Sequence, residues 1–235
     1  MDILLPHLCW SCLRPGAPRW RGMARLCPPC LARLHLAMVQ RAAPTPGSLQ
    51  LTTIFRYQGI VRDWVLRAKV GGDQRALALI EEALATSPAA QRAIATCDVL
   101  MPCPSSLWGR WHGRLDISGC AATRLSVEAR KPLATAPPSL FWRWRKQAHS
   151  HSDPPTAARD VWKGPRPAAA NARWQKQMQR LKPLEPMRVL LVDDVATTGK
   201  TLDRLAAALS DQGYEACGAL TFAAAPHFCS ELTGP

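Results

Sequence analysis

Acidic side chains are scarce in this chain. Seventeen Asp and Glu stand against 30 Lys and Arg in 235 residues, a formal net charge of +13. That surplus suits a polyanionic partner, either nucleic acid or a phosphorylated small molecule. Generic basicity of an Arg-, Ala- and Pro-rich protein is the competing reading, so charge alone selects no partner. Long apolar runs are missing too. No stretch approaches the roughly 20 residues that cross a bilayer, so no membrane insertion is expected. The opening segment, MDILLPHLCWSC, has an acid where a secretory signal has basic residues, and its apolar run is short. A cytoplasmic protein is the expectation. Two nucleotide-binding signatures are absent: the Gly-x-x-x-x-Gly-Lys-Ser/Thr spacing of a Walker loop, and the Rossmann glycine fingerprint. Nor do the nine cysteines suggest a disulfide framework. Their number is odd, and Cys97, Cys103, Cys120, Cys217 and Cys229 are scattered singly.

What remains is a chain with 47% hydrophobic residues, long enough for one α/β domain and a small appendage. Residues 1–40 form a cysteine-bearing module, 41–50 a Pro- and Gly-containing linker, and 51–235 the main domain. LTTIFRY (51–57) reads as a strand, and GIVRDWVLRAK (59–69) places Ile60, Trp64 and Leu66 or Arg67 at helical spacing. QRALALIEEALA (74–85) reads as a helix, CDVLMPC (97–103) as a buried strand, and 115–130 as a helix. Residues 131–188 are Pro-rich and resist assignment. MRVLLVDD (187–194) is an apolar strand, 200–213 a helix that Gly213 can cap, and ACGALTFAAA (216–225) the next strand. Alternating strands and helices predict a mostly parallel sheet.

The most informative stretch is VLLVDDVATTGKT, residues 189–201. A buried strand ends in two adjacent carboxylates, and a short Thr/Gly loop then opens a helix. Ligands of open α/β sheets sit beyond the carboxyl ends of the strands. Thr197, Thr198 and Gly199 supply hydroxyls and closely approaching N–H groups, and the following helix turns its positive end toward an anion. The combination cradles a monophosphate, with Asp193 and Asp194 set to accept hydrogen bonds from ribose hydroxyls. An ordinary capped strand–turn–helix is the plainer alternative.

Cys9-Trp-Ser-Cys12 and Cys27-Pro-Pro-Cys30 are two CxxC knuckles separated by 14 residues. Four thiolates so spaced can close a structural zinc site with no open position. A redox pair and unrelated core cysteines are the competing readings. Elsewhere, Trp142-Arg143-Trp144-Arg145-Lys146 interleaves indoles with cations, as a surface for unpaired bases and phosphates does. The alternative there is tryptophans in the core with arginines reaching outward.

At residues 193–200 the chain resembles the type I phosphoribosyltransferases. The resemblance implies an α/β fold with a mostly parallel sheet of that kind. It also implies ribose binding by Asp193 and Asp194, and a 5-phosphate held by Ala196, Thr197, Thr198, Gly199 and Lys200. The ligand is then phosphoribosyl pyrophosphate (PRPP) with Mg²⁺. Taken with the Cys₄ zinc module, the chain is similar to the ComF family of bacterial proteins linked to competence and DNA uptake. Tyr57, Leu66-Arg-Ala-Lys69-Val-Gly-Gly-Asp73 and Met101-Pro-Cys-Pro104 match that family's pattern, which turns Lys69 toward the diphosphate. The family's Arg-Gly-Phe-Asn-Gln stretch appears only as Gly113-Arg-Leu-Asp-Ile117. The resemblance implies an accessory factor in natural transformation that binds PRPP, single-stranded DNA and DNA-uptake proteins. An active phosphoribosyltransferase on a small acceptor and a non-catalytic PRPP sensor are the alternatives.

Overall fold

The computed structural model describes residues 8–15, 25–39, 42–104, 114–134 and 186–229. Four strands form one sheet: β1 (Leu51–Arg56), β2 (Val99–Pro102), β3 (Arg188–Ala196) and β4 (Glu215–Ala224). Their order is β1-β4-β3-β2, and every pairing is parallel. The helices are α1 (Pro28–Leu36), α2 (Gly59–Lys69), α3 (Gln74–Thr86), α4 (Pro88–Ala95), α5 (Ile117–Ala129) and α6 (Lys200–Ser210). The chain is thus an α/β protein. None of the described helices is long and apolar enough to cross a membrane.

The unbroken apolar run of β3 follows from burial on both faces of the sheet. Leu190 and Val192 join a core with α2, α3, α4 and α5, which contains Trp64, Ile80, Ile94 and Leu125. Val189 and Leu191 face the opposite way, into a second core with Leu202, Leu205 and Leu209 of α6. Trp64 is fully buried, stacked on Phe222 of β4 at 6.5 Å between ring centroids.

The helix expected at 59–69 is α2, which buries Val61, Trp64, Val65 and Ala68 and packs Ile60 against the same core. Two helices were not anticipated. α1 starts at Pro28 inside the second CxxC knuckle, and α4 is a short Ala-rich helix capped by the Ser87 hydroxyl. Gly213 follows α6 at φ 78°, its N–H bonded to the Ser210 carbonyl at 2.9 Å. The stretch expected to be a linker lies against the domain. Thr45 and Leu49 are buried, and both Thr45 Oγ1 and the Gly47 N–H donate to the Asp203 carboxylate of α6. Residues 135–185, including Trp142, Arg143, Trp144 and Arg145, lie outside the described residues.

Candidate functional site

The carboxyl ends of the strands converge on a cavity of about 390 Å³. β1 and α2 bring Tyr57, Leu66 and Lys69 to it; β2 brings Cys103 and Pro104. The segment entering α5 contributes Arg114, Leu115, Asp116 and Ser118, and the β3–α6 connection contributes Asp193, Asp194, Thr197 and Thr201. The sequence-predicted acid pair and Lys69 therefore meet in one place, although Lys69 and Asp194 are 125 positions apart.

Each carboxylate is held. Asp193 Oδ1 accepts from the Ser118 hydroxyl at 3.0 Å and from the Asp194 N–H at 2.9 Å. Ser118 Oγ accepts in turn from the Asp194 N–H at 3.1 Å. Asp194 is buried; its Oδ1 accepts from the Val195 N–H at 2.9 Å and its Oδ2 from Lys69 Nζ. Burial and the adjacent Asp194 charge push the Asp193 carboxyl up to about 7, against the pull of the Asp194 N–H and the Ser118 hydroxyl. Cys103 is buried beside these acids; burial first, and then their charges, hold its thiol well above its ordinary value. It remains a neutral wall.

The turn after β3 is built for close approach. Gly199 has φ 70°, the left-handed region that costs glycine little. A side chain there would start 3.0 Å from Pro46 Cδ and 3.1 Å from Thr45 Cβ. The N-cap of α6 is Gly199, which has no side chain, and no described side chain caps this end; Asp203, the acid in the first turn, is bonded to Thr45 and Gly47. The leading N–H groups of α6 stay available to a ligand. Thr197, Thr198 and Lys200 are exposed at this end, whereas Ala196 and Gly199 are buried.

Sequence reasoning missed Ser118 and Asp116. The Asp116 carboxylate caps α5, accepting from the Gly119 N–H at 3.1 Å. That cap holds Ser118 in the first turn of the helix, within reach of Asp193. The local signal was Asp116-Ile-Ser-Gly119 at the head of a helix. The contact itself, 75 positions long, leaves no trace in the sequence. Residues 114–117 wall the same cavity.

The four predicted metal ligands belong to a module that packs against α2, where Trp64 and Arg67 bond Ser11 and Trp10 of the first knuckle. The sulfurs of Cys9, Cys12, Cys27 and Cys30 all lie within 4.8 Å of one another, a cluster that can hold a metal ion. The Cys12 and Cys27 sulfurs are 3.7 Å apart. A tetrahedral ion with bonds of about 2.3 Å sets its sulfurs about 3.8 Å apart, so the donor set fits. Burial opposes the Cys9 thiolate, but backbone N–H groups of Cys12, Cys27 and Ser11 outweigh it and bring the thiol down to about 6. One of these is visible directly, the Cys27 N–H at 3.3 Å from Cys9 Sγ.

Among the described residues, fold and site together define an α/β protein with a four-stranded parallel sheet, a polar cavity at its carboxyl edge, and an adjoining four-cysteine cluster. No family model matches the chain, and no curated protein matches it.

Proposed function

We propose that the chain binds PRPP, or a related ribose 5-phosphate, through a domain of the type I phosphoribosyltransferase kind. The four cysteines hold a structural zinc ion, and the protein acts as a ComF-like accessory factor in DNA uptake. One observation supports the ligand above all: the acid pair, Thr197 of the turn, Thr201 in the first turn of α6 and Lys69 line a single cavity. The 5-phosphate sits against Ala196–Lys200, with Thr197 and Thr198 donating. The ribose hydroxyls bond to Asp193 and Asp194. Lys69 exchanges its bond with Asp194 for one with the diphosphate, whose Mg²⁺ arrives with the ligand. The test is calorimetric titration with PRPP and Mg²⁺. Wild-type protein binds, and Asp193→Asn/Asp194→Asn loses at least tenfold in affinity; equal binding by both removes the assignment.

The DNA-uptake role rests on the family resemblance, the net charge and the basic–aromatic stretch around Trp142 to Arg145. Filter binding of a single-stranded oligonucleotide across a salt series tests it, because phosphate contacts weaken steeply with salt. Absence of binding at low salt ends that part of the proposal. A second reading, transfer of the phosphoribosyl group to a small acceptor, is favoured by the apolar wall of Tyr57, Val65, Leu66 and Leu115 beside the acids. Pyrophosphate release in an acceptor screen decides for it.

A further inference from the structure

The cysteine module and the cavity lie at opposite ends of a short hydrogen-bonded chain that runs through Arg67. Its guanidinium donates from Nη1 to the Ser11 carbonyl at 2.6 Å and from Nη2 to the Trp10 carbonyl at 3.2 Å. Both carbonyls belong to the first CxxC knuckle, between Cys9 and Cys12. One turn earlier, Trp64 Nε1 donates to Ser11 Oγ at 2.9 Å. Arg67 also grips the turn that ends its own helix: Nε donates to Asp73 Oδ2 at 2.9 Å. Burial alone would raise the Asp73 carboxyl, but the bond from Arg67 and the N–H groups of Ala76 and Arg75 hold it below the usual range.

The turn between Arg67 and Asp73 contains Lys69. It is tight: the Asp73 N–H bonds the Arg67 carbonyl at 3.1 Å, and a side chain at Gly71 would start 2.8 Å from that carbonyl. The Lys69 carbonyl accepts from the Leu115 N–H at 3.2 Å, which ties the turn to the wall of the cavity. Lys69 Nζ then reaches Asp194. Arg67 thus joins the backbone of a metal knuckle to the cation of the anion cavity, two residues away along one helix.

We infer that Arg67 is a positioning residue through which metal occupancy of the cysteine cluster sets the placement of Lys69, and with it the cavity's grip on a diphosphate. The inference rests on the ribose-phosphate site proposed above. An ordered knuckle presents the Trp10 and Ser11 carbonyls at fixed points, and Arg67 is fixed between them and Asp73. With the metal gone, those carbonyls have no fixed place. Arg67 loses two of its partners, and the 69–73 turn is held from one side only. Linkage then requires the reverse effect: a ligand that fixes Lys69 tightens the metal.

The coupling is specific to one half of the ligand. Lys69 faces the diphosphate, whereas the 5-phosphate rests on the β3–α6 turn, which Arg67 does not touch. Full-length protein is titrated with PRPP–Mg²⁺ and with ribose 5-phosphate, in the zinc-loaded state, after chelation, and as Arg67→Met and Arg67→Lys. Chelation or Arg67→Met weakens PRPP about tenfold, within the usual range of coupling between sites, and leaves ribose 5-phosphate within about twofold. Arg67→Lys, which restores the charge without the planar fork, recovers only part of the loss. Competition with a zinc chelator gives a readout independent of the cavity: PRPP raises zinc affinity of the wild type about tenfold and that of Arg67→Met not at all. If both ligands bind and neither chelation nor Arg67→Met changes the ratio between them, the coupling is refuted. If neither ligand binds zinc-loaded wild-type protein, the ribose-phosphate site itself is wrong. Should Arg67→Met not fold, Asp73→Asn, which weakens the same clamp from its other side, is expected to shift PRPP in the same direction; no shift refutes the coupling.

Discussion

The cysteine module and the sheet domain share a core but differ in what else can hold them. Around β3 and β4 the core is continuous on both faces of the sheet, from Trp64 and Phe222 on one side to Leu191 and Leu205 on the other. Burial of that kind, at about 25 cal/mol per Å² of apolar surface, stabilises a fold without help from a ligand. Among the described residues of the cysteine module, Cys9, Leu26, Cys30, Leu34 and Ala37 are buried and join the same core as Ile54 and Trp64. Two of these five belong to the four-cysteine cluster that can hold a metal ion. One region is held by burial alone, whereas the other adds to its share of that core a cluster that can take a metal ion. Polar bonds from Trp64 and Arg67 to Ser11 and Trp10 also join the two.

The largest effect separates the two regions outright. Zinc binding to such a module contributes on the order of 10 kcal/mol to its folding. Chelation, or Cys9→Ser with Cys30→Ser, should therefore expose residues 8–36 to limited proteolysis while far-UV circular dichroism keeps most of its amplitude. Collapse of both together would show that the sheet domain depends on the metal as well.

A smaller loss is expected at the β3–α6 turn. Gly199→Val combines a left-handed backbone with contacts to Thr45 and Pro46, and should cost about 1–3 kcal/mol. Thermal unfolding should fall by several degrees, with resistance of the cysteine module to proteolysis unchanged.

The smallest effect concerns Asp193, and its sign depends on pH. Its folded-state value of about 7 lies above that of an unfolded aspartate. The folded protein therefore binds the proton more tightly, and this group's contribution to stability falls as pH rises from about 4 to about 7. Asp193→Asn removes the like-charge cost while its side-chain oxygen still accepts from Ser118 and the Asp194 N–H. Ligand-free Asp193→Asn should melt about 3 °C above wild type at pH 8 and close to it at pH 5, by differential scanning calorimetry. A lower melting temperature at pH 8 would mean that the ionised carboxylate is stabilised where it stands.

How much of this was legible in the sequence follows from the range of each interaction. The β3 run, the acid pair and the Thr-Thr-Gly turn are contiguous, so strand, loop and helix could be read together, and the structure puts them at residues 188–210. Two CxxC knuckles carry their own spacing, and the four sulfurs do come together. The spacing over 59–69 marks α2 as a helix, but the burial of Val61 and Val65 beside Trp64 is settled by packing around Phe222 and the cysteine module. α4 escaped notice though its Ser87-Pro88 start is a helix signal, since eight Ala-rich residues show little periodicity. Ser118 and Arg67 act across 75 and 56 positions, and no local pattern encodes a contact of that span.

The proposed ribose-phosphate site stands on the acid pair and the turn behind it. The most direct measurement is a crystal structure of the zinc-loaded protein soaked with ribose 5-phosphate. Density is expected for the phosphate within hydrogen-bonding distance of the backbone at Thr198–Lys200, with ring hydroxyls on Asp193 and Asp194. A cavity that stays empty at saturating ligand would contradict it.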